Sequence, residues 1–234
     1  MADKVTDIDM TNIDIEPFLK LYDNFDKGHD RRHVEAVRTF SHKLATKYCP
    51  DLVNLVDLGA VLHDIGLTQG RDNHELASGS YMLMHTDLID RVDYRQFNEL
   101  MHIVVNHRAS NGNPSTVAAK IISDADRIGS DSMSHRVVRI IYSFIKQFGS
   151  KFTYAECVRR ALKYCCEKYG DGGHGRRVYF LETLSAMREL YNEDWTPDNV
   201  DLFLSDMTDG DREASVEYWY SVSRLPKKYY GTGL

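Results

Sequence analysis

The chain has 234 residues, 42% of them apolar and 27% charged, with a formal net charge of −6. That profile fits a soluble globular protein with one sizeable core and excludes a largely disordered chain. No window approaches the roughly twenty consecutive apolar residues of a membrane span, the acidic balance argues against nucleic acid as a partner, and the Asp-rich residues 1–14 do not form a secretory signal peptide.

Apolar residues recur at helical three- and four-residue spacing, and alternating strand-like runs are nearly absent, so the fold class read from the sequence is all-α. A short helix follows Asp14, with Pro17 in its first turn. A second runs from Asp30 to Lys47, with His33, Val37, Phe40 and Leu44 on its inner stripe. A third covers Leu52 to Asp64 and ends at Gly66, read as its C-terminal glycine. Asp72 or Asn73 caps a fourth, to Met84. A fifth spans Tyr94 to His107, and a sixth opens at Pro114 and runs to Ile128. Further helices are expected over Ser134–Phe148, Thr153–Tyr169 and Arg176–Tyr191, then over Pro197–Ser205 and Asp211–Arg224, with a tail from Pro226. The expected organisation is a helical domain over 16–195, with 196–234 an extension packed on the same domain.

Four cysteines, Cys49, Cys157, Cys165 and Cys166, form no Cys-x-x-Cys unit. Without an export signal they read as reduced thiols in a cytoplasmic protein, and a cysteine zinc site is not expected. The ten histidines are more informative. His63 and Asp64 stand together at a helix end, able to aim an imidazole and a carboxylate at one cation, with small Gly59 and Ala60 one turn back to leave room. His33 lies on an apolar stripe. Asp124 and Asp126 sit in an apolar helix about 200° apart on its wheel, and Asp126, stacked over Ile122 and Ala119, is the one expected to face inward. A buried carboxylate demands a partner. A divalent cation would satisfy His33, His63, Asp64 and Asp126 together, and this donor set suits Mn, Fe, Co, Ni or Zn better than Ca, with Mg kept as a further identity.

The order His33, His63-Asp64, Asp126 resembles the HD-domain superfamily of metal-dependent phosphohydrolases. The strings that carry the resemblance are Gly28-His-Asp-Arg-Arg-His33, Val61-Leu-His-Asp-Ile-Gly66, His74-Glu-Leu-Ala-Ser-Gly79, Val105-Asn-His-Arg108 and Ser123-Asp-Ala-Asp-Arg-Ile128. The resemblance covers roughly residues 20–130. It implies an all-helical fold in which the first His, the His-Asp pair and the last Asp hold an ion that activates water for attack on phosphorus. It further implies Asp64 as proton acceptor, His74 and His107 as additional catalytic histidines, and Arg127, His29, Arg176 and Arg177 as groups that contact substrate. Three departures narrow the class. Ile65–Gln69 carries no carboxylate, Leu67 stands where cyclic-dinucleotide phosphodiesterases have a Lys, and His107 is followed by Arg108 rather than a second His. The resulting expectation is a cytoplasmic phosphohydrolase with one ion, acting on a small phosphorylated metabolite of the nucleotide class. The alternatives are a two-metal phosphodiesterase or dinucleoside polyphosphate hydrolase, in which His74 and His107 hold the second ion and Asp64 is the candidate bridging carboxylate, and a non-catalytic nucleotide-sensing module. A homo-oligomer is compatible with the sequence.

Overall fold

Helix α3 (Val53–Leu62) is buried over most of its surface: Leu55, Val56, Leu58, Gly59, Ala60, Val61 and Leu62 are buried, and only Asn54 is exposed. A helix this apolar belongs at the centre of a bundle. The computed structural model describes residues 4–26, 28–85, 88, 90–129, 133–170, 172–190 and 209–223. Around α3 pack α1 (Glu16–Tyr22), α2 (Arg31–Tyr48), α5 (Tyr94–Asn106) and α6 (Val117–Ile128), and α4 (His74–Met84) packs on α5 and on the 3₁₀ segment Ile65–Gln69. The remaining helices among the described residues are α7 (Met133–Phe148), α8 (Tyr154–Tyr169), α9 (Leu181–Leu190) and α10 (Asp209–Val222). The protein is all-helical, with no strand among the described residues.

The chain divides into two compact units. The first comprises Met1–Phe25, His29–Gly129 and Arg177–Ala186; the second comprises Asp26–Gly28, Ser130–Arg176 and Met187–Leu234. In the second unit α8 and α10 pack on α7, and Trp219 Nε1 donates to the Phe152 carbonyl at 3.0 Å. The expected boundary at residue 195, the helix over 197–205 and the tail from 226 lie outside the described residues.

Helix starts follow their caps. Asp30 accepts from the Arg32 amide, Asp93 and Gln96 form a reciprocal capping box, and Thr116 and Thr153 cap α6 and α8. Four expectations are corrected. The sixth helix begins after Thr116 rather than at Pro114, because the Thr116 hydroxyl takes the Ala119 amide. Asn73 precedes α4 with φ 54° and makes no side-chain cap. Gly66 does not end α3 as a left-handed glycine; it lies in the 3₁₀ segment, where a Cβ would collide with the His74 carbonyl and the Ser78 amide. Gly59 leaves no room for a ligand, because a Cβ there would stand 2.9 Å from Ile103 Cγ2, making it the close contact between α3 and α5.

Candidate metal centre

His63 and His107 occupy the same local position, the residue that ends α3 and the residue that ends α5. The last carbonyls of a helix lack intrahelical partners. Each ring uses one of them: His63 Nδ1 lies 2.7 Å from the Ala60 carbonyl, and His107 Nδ1 lies 2.7 Å from that of Val104. His74 Nδ1 is 3.0 Å from the Arg71 carbonyl, and His33 Nδ1 is 2.9 Å from that of Gly129. A carbonyl only accepts, so each Nδ1 carries the proton and, in the neutral ring, Nε2 presents a lone pair.

The four Nε2 atoms converge in two pairs. His33 and His63 stand 3.3 Å apart, and so do His74 and His107. Asp64 lies between the pairs. Its Oδ2 is 3.4 Å from His33 Nε2 and 3.3 Å from His63 Nε2, while its Oδ1 is 3.0 Å from His74 Nε2 and 3.4 Å from His107 Nε2. Asp126 Oδ1 adds a second carboxylate 3.3 Å from His33 Nε2. All four rings and Asp64 are buried, whereas the Asp126 side chain keeps 23% of its surface exposed. The geometry yields two groups able to hold a metal ion, His33-His63-Asp64 and Asp64-His74-His107, joined at Asp64.

The chemistry of the donor set fits a cation. Lone pairs and carboxylate oxygens face one another at van der Waals distance or less, and only protons or positive ions can hold such a set together. Where protons rather than an ion hold the set, burial still opposes ionisation of Asp64, yet His63, His107 and His33 outweigh it and hold the carboxyl well below its usual range. Asp126 behaves alike, with burial overcome chiefly by His33.

A surrounding shell fixes these side chains. The Tyr22 hydroxyl donates to the Val61 carbonyl at 2.8 Å and accepts from the Asp64 amide at 3.3 Å. Ser78 Oγ donates to the His63 carbonyl and accepts from the Gly66 amide, both at 2.8 Å, pinning α4 to the turn that carries His63 and Asp64. Arg38 grips both oxygens of Asp57 at 2.9 Å and so ties α2 to α3. Buried Glu75 receives Arg108 at 3.1 Å and Asn111 at 2.8 Å, linking the residue after His74 to the residue after His107.

Residues 31–131 match the family model described as the HD domain. This segment of the chain is similar to the HD domain. No curated protein and no solved structure matches it. The matched segment contains all six residues of the cluster, and the HD domain is generally the fold of metal-dependent phosphohydrolases, which agrees with buried His/Asp groups that can hold a divalent ion. Among the described residues no helix is long and apolar enough to cross a membrane.

The other expected site residues fall differently. Asp124 is buried and turned from the histidines; it accepts the Tyr179 amide at 2.9 Å and the Phe180 amide at 3.0 Å. Arg127 shares that face, with Nη1 donating to the Ser123 carbonyl at 2.7 Å, the Ser123 hydroxyl at 2.9 Å and Asp124 at 3.3 Å. These bonds engage Nη1, while Nε is buried without a hydrogen-bond partner. His29 is buried, edge-on to His33 with ring centres 5.9 Å apart. Arg176 belongs to the second unit, where its Nε donates to the Tyr169 carbonyl, and Arg177 is exposed in the first. Neither opens a helix: Arg176 ends the 3₁₀ turn His174–Arg176, and α9 starts only at Leu181. Sequence reading missed Arg71, whose carbonyl supports His74 and whose guanidinium reaches His29 at 3.3 Å. The one available signal was its place three residues before His74.

Proposed function

We propose that this HD domain is a metal-dependent phosphohydrolase with two divalent ions, His33, His63 and Asp126 holding one, His74 and His107 the other, and Asp64 bridging them. The observation that carries this reading is the separate use of the two Asp64 oxygens, one toward each histidine pair. It revises the expectation of one ion beside two free catalytic imidazoles. A general acid needs a proton on the nitrogen that faces substrate, but the protons of His74 and His107 are committed to the carbonyls of Arg71 and Val104.

When bound, such ions polarise a phosphoryl oxygen and lower the pKa of a water nucleophile. The chain supplies the rest. Tyr22 and Ser78 hold Asp64 and His63 through their backbones, so the donors are ordered before substrate arrives. Both Asp64 oxygens are engaged, which leaves Asp126, the more exposed carboxylate, as the proton acceptor for attacking water. The substrate is a small phosphorylated molecule; two ions favour a phosphodiester or dinucleotide, while the broader nucleotide expectation rests on the family resemblance.

The test is metal analysis after saturation with Mn or Fe, paired with a hydrolysis screen of nucleotides and dinucleotides. Two ions per chain, falling to one in His107→Ala with loss of turnover, is the expected result. One ion in the parent protein, retained in His107→Ala, would return the single-ion reading.

A further inference from the structure

Arg71 lies in the turn between the 3₁₀ segment Ile65–Gln69 and α4, flanked by Gly70 at φ 118° and, two residues on, by Asn73 at φ 54°. Positive φ at a non-glycine residue is uncommon and marks a turn whose shape is held by its surroundings. Here the turn points the Arg71 carbonyl at His74 Nδ1, 3.0 Å away, while the guanidinium Nη1 donates to His29 Nε2 at 3.3 Å. His29 in turn stands edge-on to His33. The backbone of Arg71 therefore supports one histidine pair, and its side chain reaches the ring packed against the other.

Its pairing sets it apart from the other arginines close in sequence to the cluster. Arg31 pairs with Glu16 at 2.6 Å, Arg32 with Asp30 at 3.0 Å, Arg38 with Asp57 at 2.9 Å, Arg108 with Glu75 at 3.1 Å and Arg127 with Asp124 at 3.3 Å. Arg71 is half-buried, and its polar partner is a histidine; among the described residues no carboxylate lies within 4 Å of its guanidinium. A half-buried guanidinium without a counter-ion is costly unless an anion completes it. Its planar fork of N–H donors suits the oxygens of a phosphate, and the bond to His29 orients that fork while leaving further donors for a ligand.

The geometry points to Arg71 as the residue that binds the phosphate group of the substrate beside the two histidine pairs, with His29 holding the guanidinium in position. This assignment rests on the proposed metal site, and it gives the phosphate-binding role that Arg127 in α6 was expected to fill to a residue in the turn before α4.

The test is calorimetric titration of metal-loaded protein with inorganic phosphate, alongside metal analysis of each variant. Arg71→Met is expected to keep its ions and to weaken phosphate binding by about ten- to a hundredfold, the scale of a lost charge-assisted hydrogen bond. Arg71→Lys, which keeps the charge but not the fork, should fall between. Unchanged phosphate affinity in Arg71→Met with both ions present would overturn the assignment and leave the metal site standing. Loss of ions from both variants would also overturn it, since Arg71 would then act on the ligands. Absence of bound ions from the parent protein would instead remove the metal reading and this assignment together.

Discussion

Asp64 has no spare oxygen, which makes it the side chain least open to substitution. Asparagine keeps its shape but replaces one acceptor by an amide NH2 that faces an imidazole lone pair. Asp64→Asn is expected to relieve the crowding around one histidine pair and to lose at least half of the bound metal while circular dichroism stays unchanged. Full occupancy in that variant would reject the bridging role. A second test concerns Gly129, where a Cβ would come within 2.6 Å of His33 Cε1 and 2.7 Å of His33 Nδ1. The His33 ring must move in Gly129→Ala, so its ion should be lost in preference to that of His74 and His107, at an overpacking cost of about 1–3 kcal/mol in urea unfolding. Equal loss at both pairs would show that His33 is not held by that approach. The residues of this cluster were legible because imidazoles and carboxylates on apolar stripes are expensive without a partner. The sharing of Asp64 was legible only as an alternative, because preferring it depends on His63 and His107 each turning onto a helix-end carbonyl, which a wheel does not display.

At the scale of elements, Asp124 shows why one helix start escaped the sequence. Residues from Arg176 carry a helical pattern, yet α9 begins at Leu181, because the Tyr179 and Phe180 amides are taken by a carboxylate more than fifty residues earlier in the chain. Long-range caps of this kind leave no local signature, whereas Thr116 and Thr153 sit beside the helices they cap. Asp124→Asn retains one acceptor oxygen but gives up the charge that draws both amides and Arg127. It should lower stability by about 1–3 kcal/mol and leave metal content intact, in contrast to Asp126→Asn, which should lose metal with little change in stability. If the Asp124 variant alone loses the ion, the two carboxylates have been assigned the wrong way round. Glu75 offers the parallel test for α4 and α5. Its bonds to Arg108 and Asn111 span the residues that follow His74 and His107, so Glu75→Gln should weaken the second ion's affinity and spare the first, as read by competition with a chelating dye.

For the whole molecule, the division into two units has a consequence that ligand linkage makes measurable. All the proposed ligands lie in the first unit together with Cys49, while Cys157, Cys165 and Cys166 lie in the second. Burial pushes the thiols of Cys49 and Cys157 up to about 11 and that of Cys165 up to about 12. A raised thiol pKa favours the uncharged form, so near pH 8 the folded protein presents almost none of the reactive thiolate at these sites, and alkylation there reports unfolding. An ion that binds only the folded form stabilises it by RT ln(1 + [L]/Kd), about 2.7 kcal/mol at a hundredfold excess over Kd. In a urea series labelled with iodoacetamide and read by peptide mass spectrometry, saturating Mn should therefore move the Cys49 midpoint upward. The midpoint of Cys157 and Cys165 should move less, because the second unit contains none of the proposed ligands. A chelator should reverse the Cys49 shift. An identical shift at all three cysteines would mean that the units unfold as one, and no shift at Cys49 would count against metal binding in the first unit.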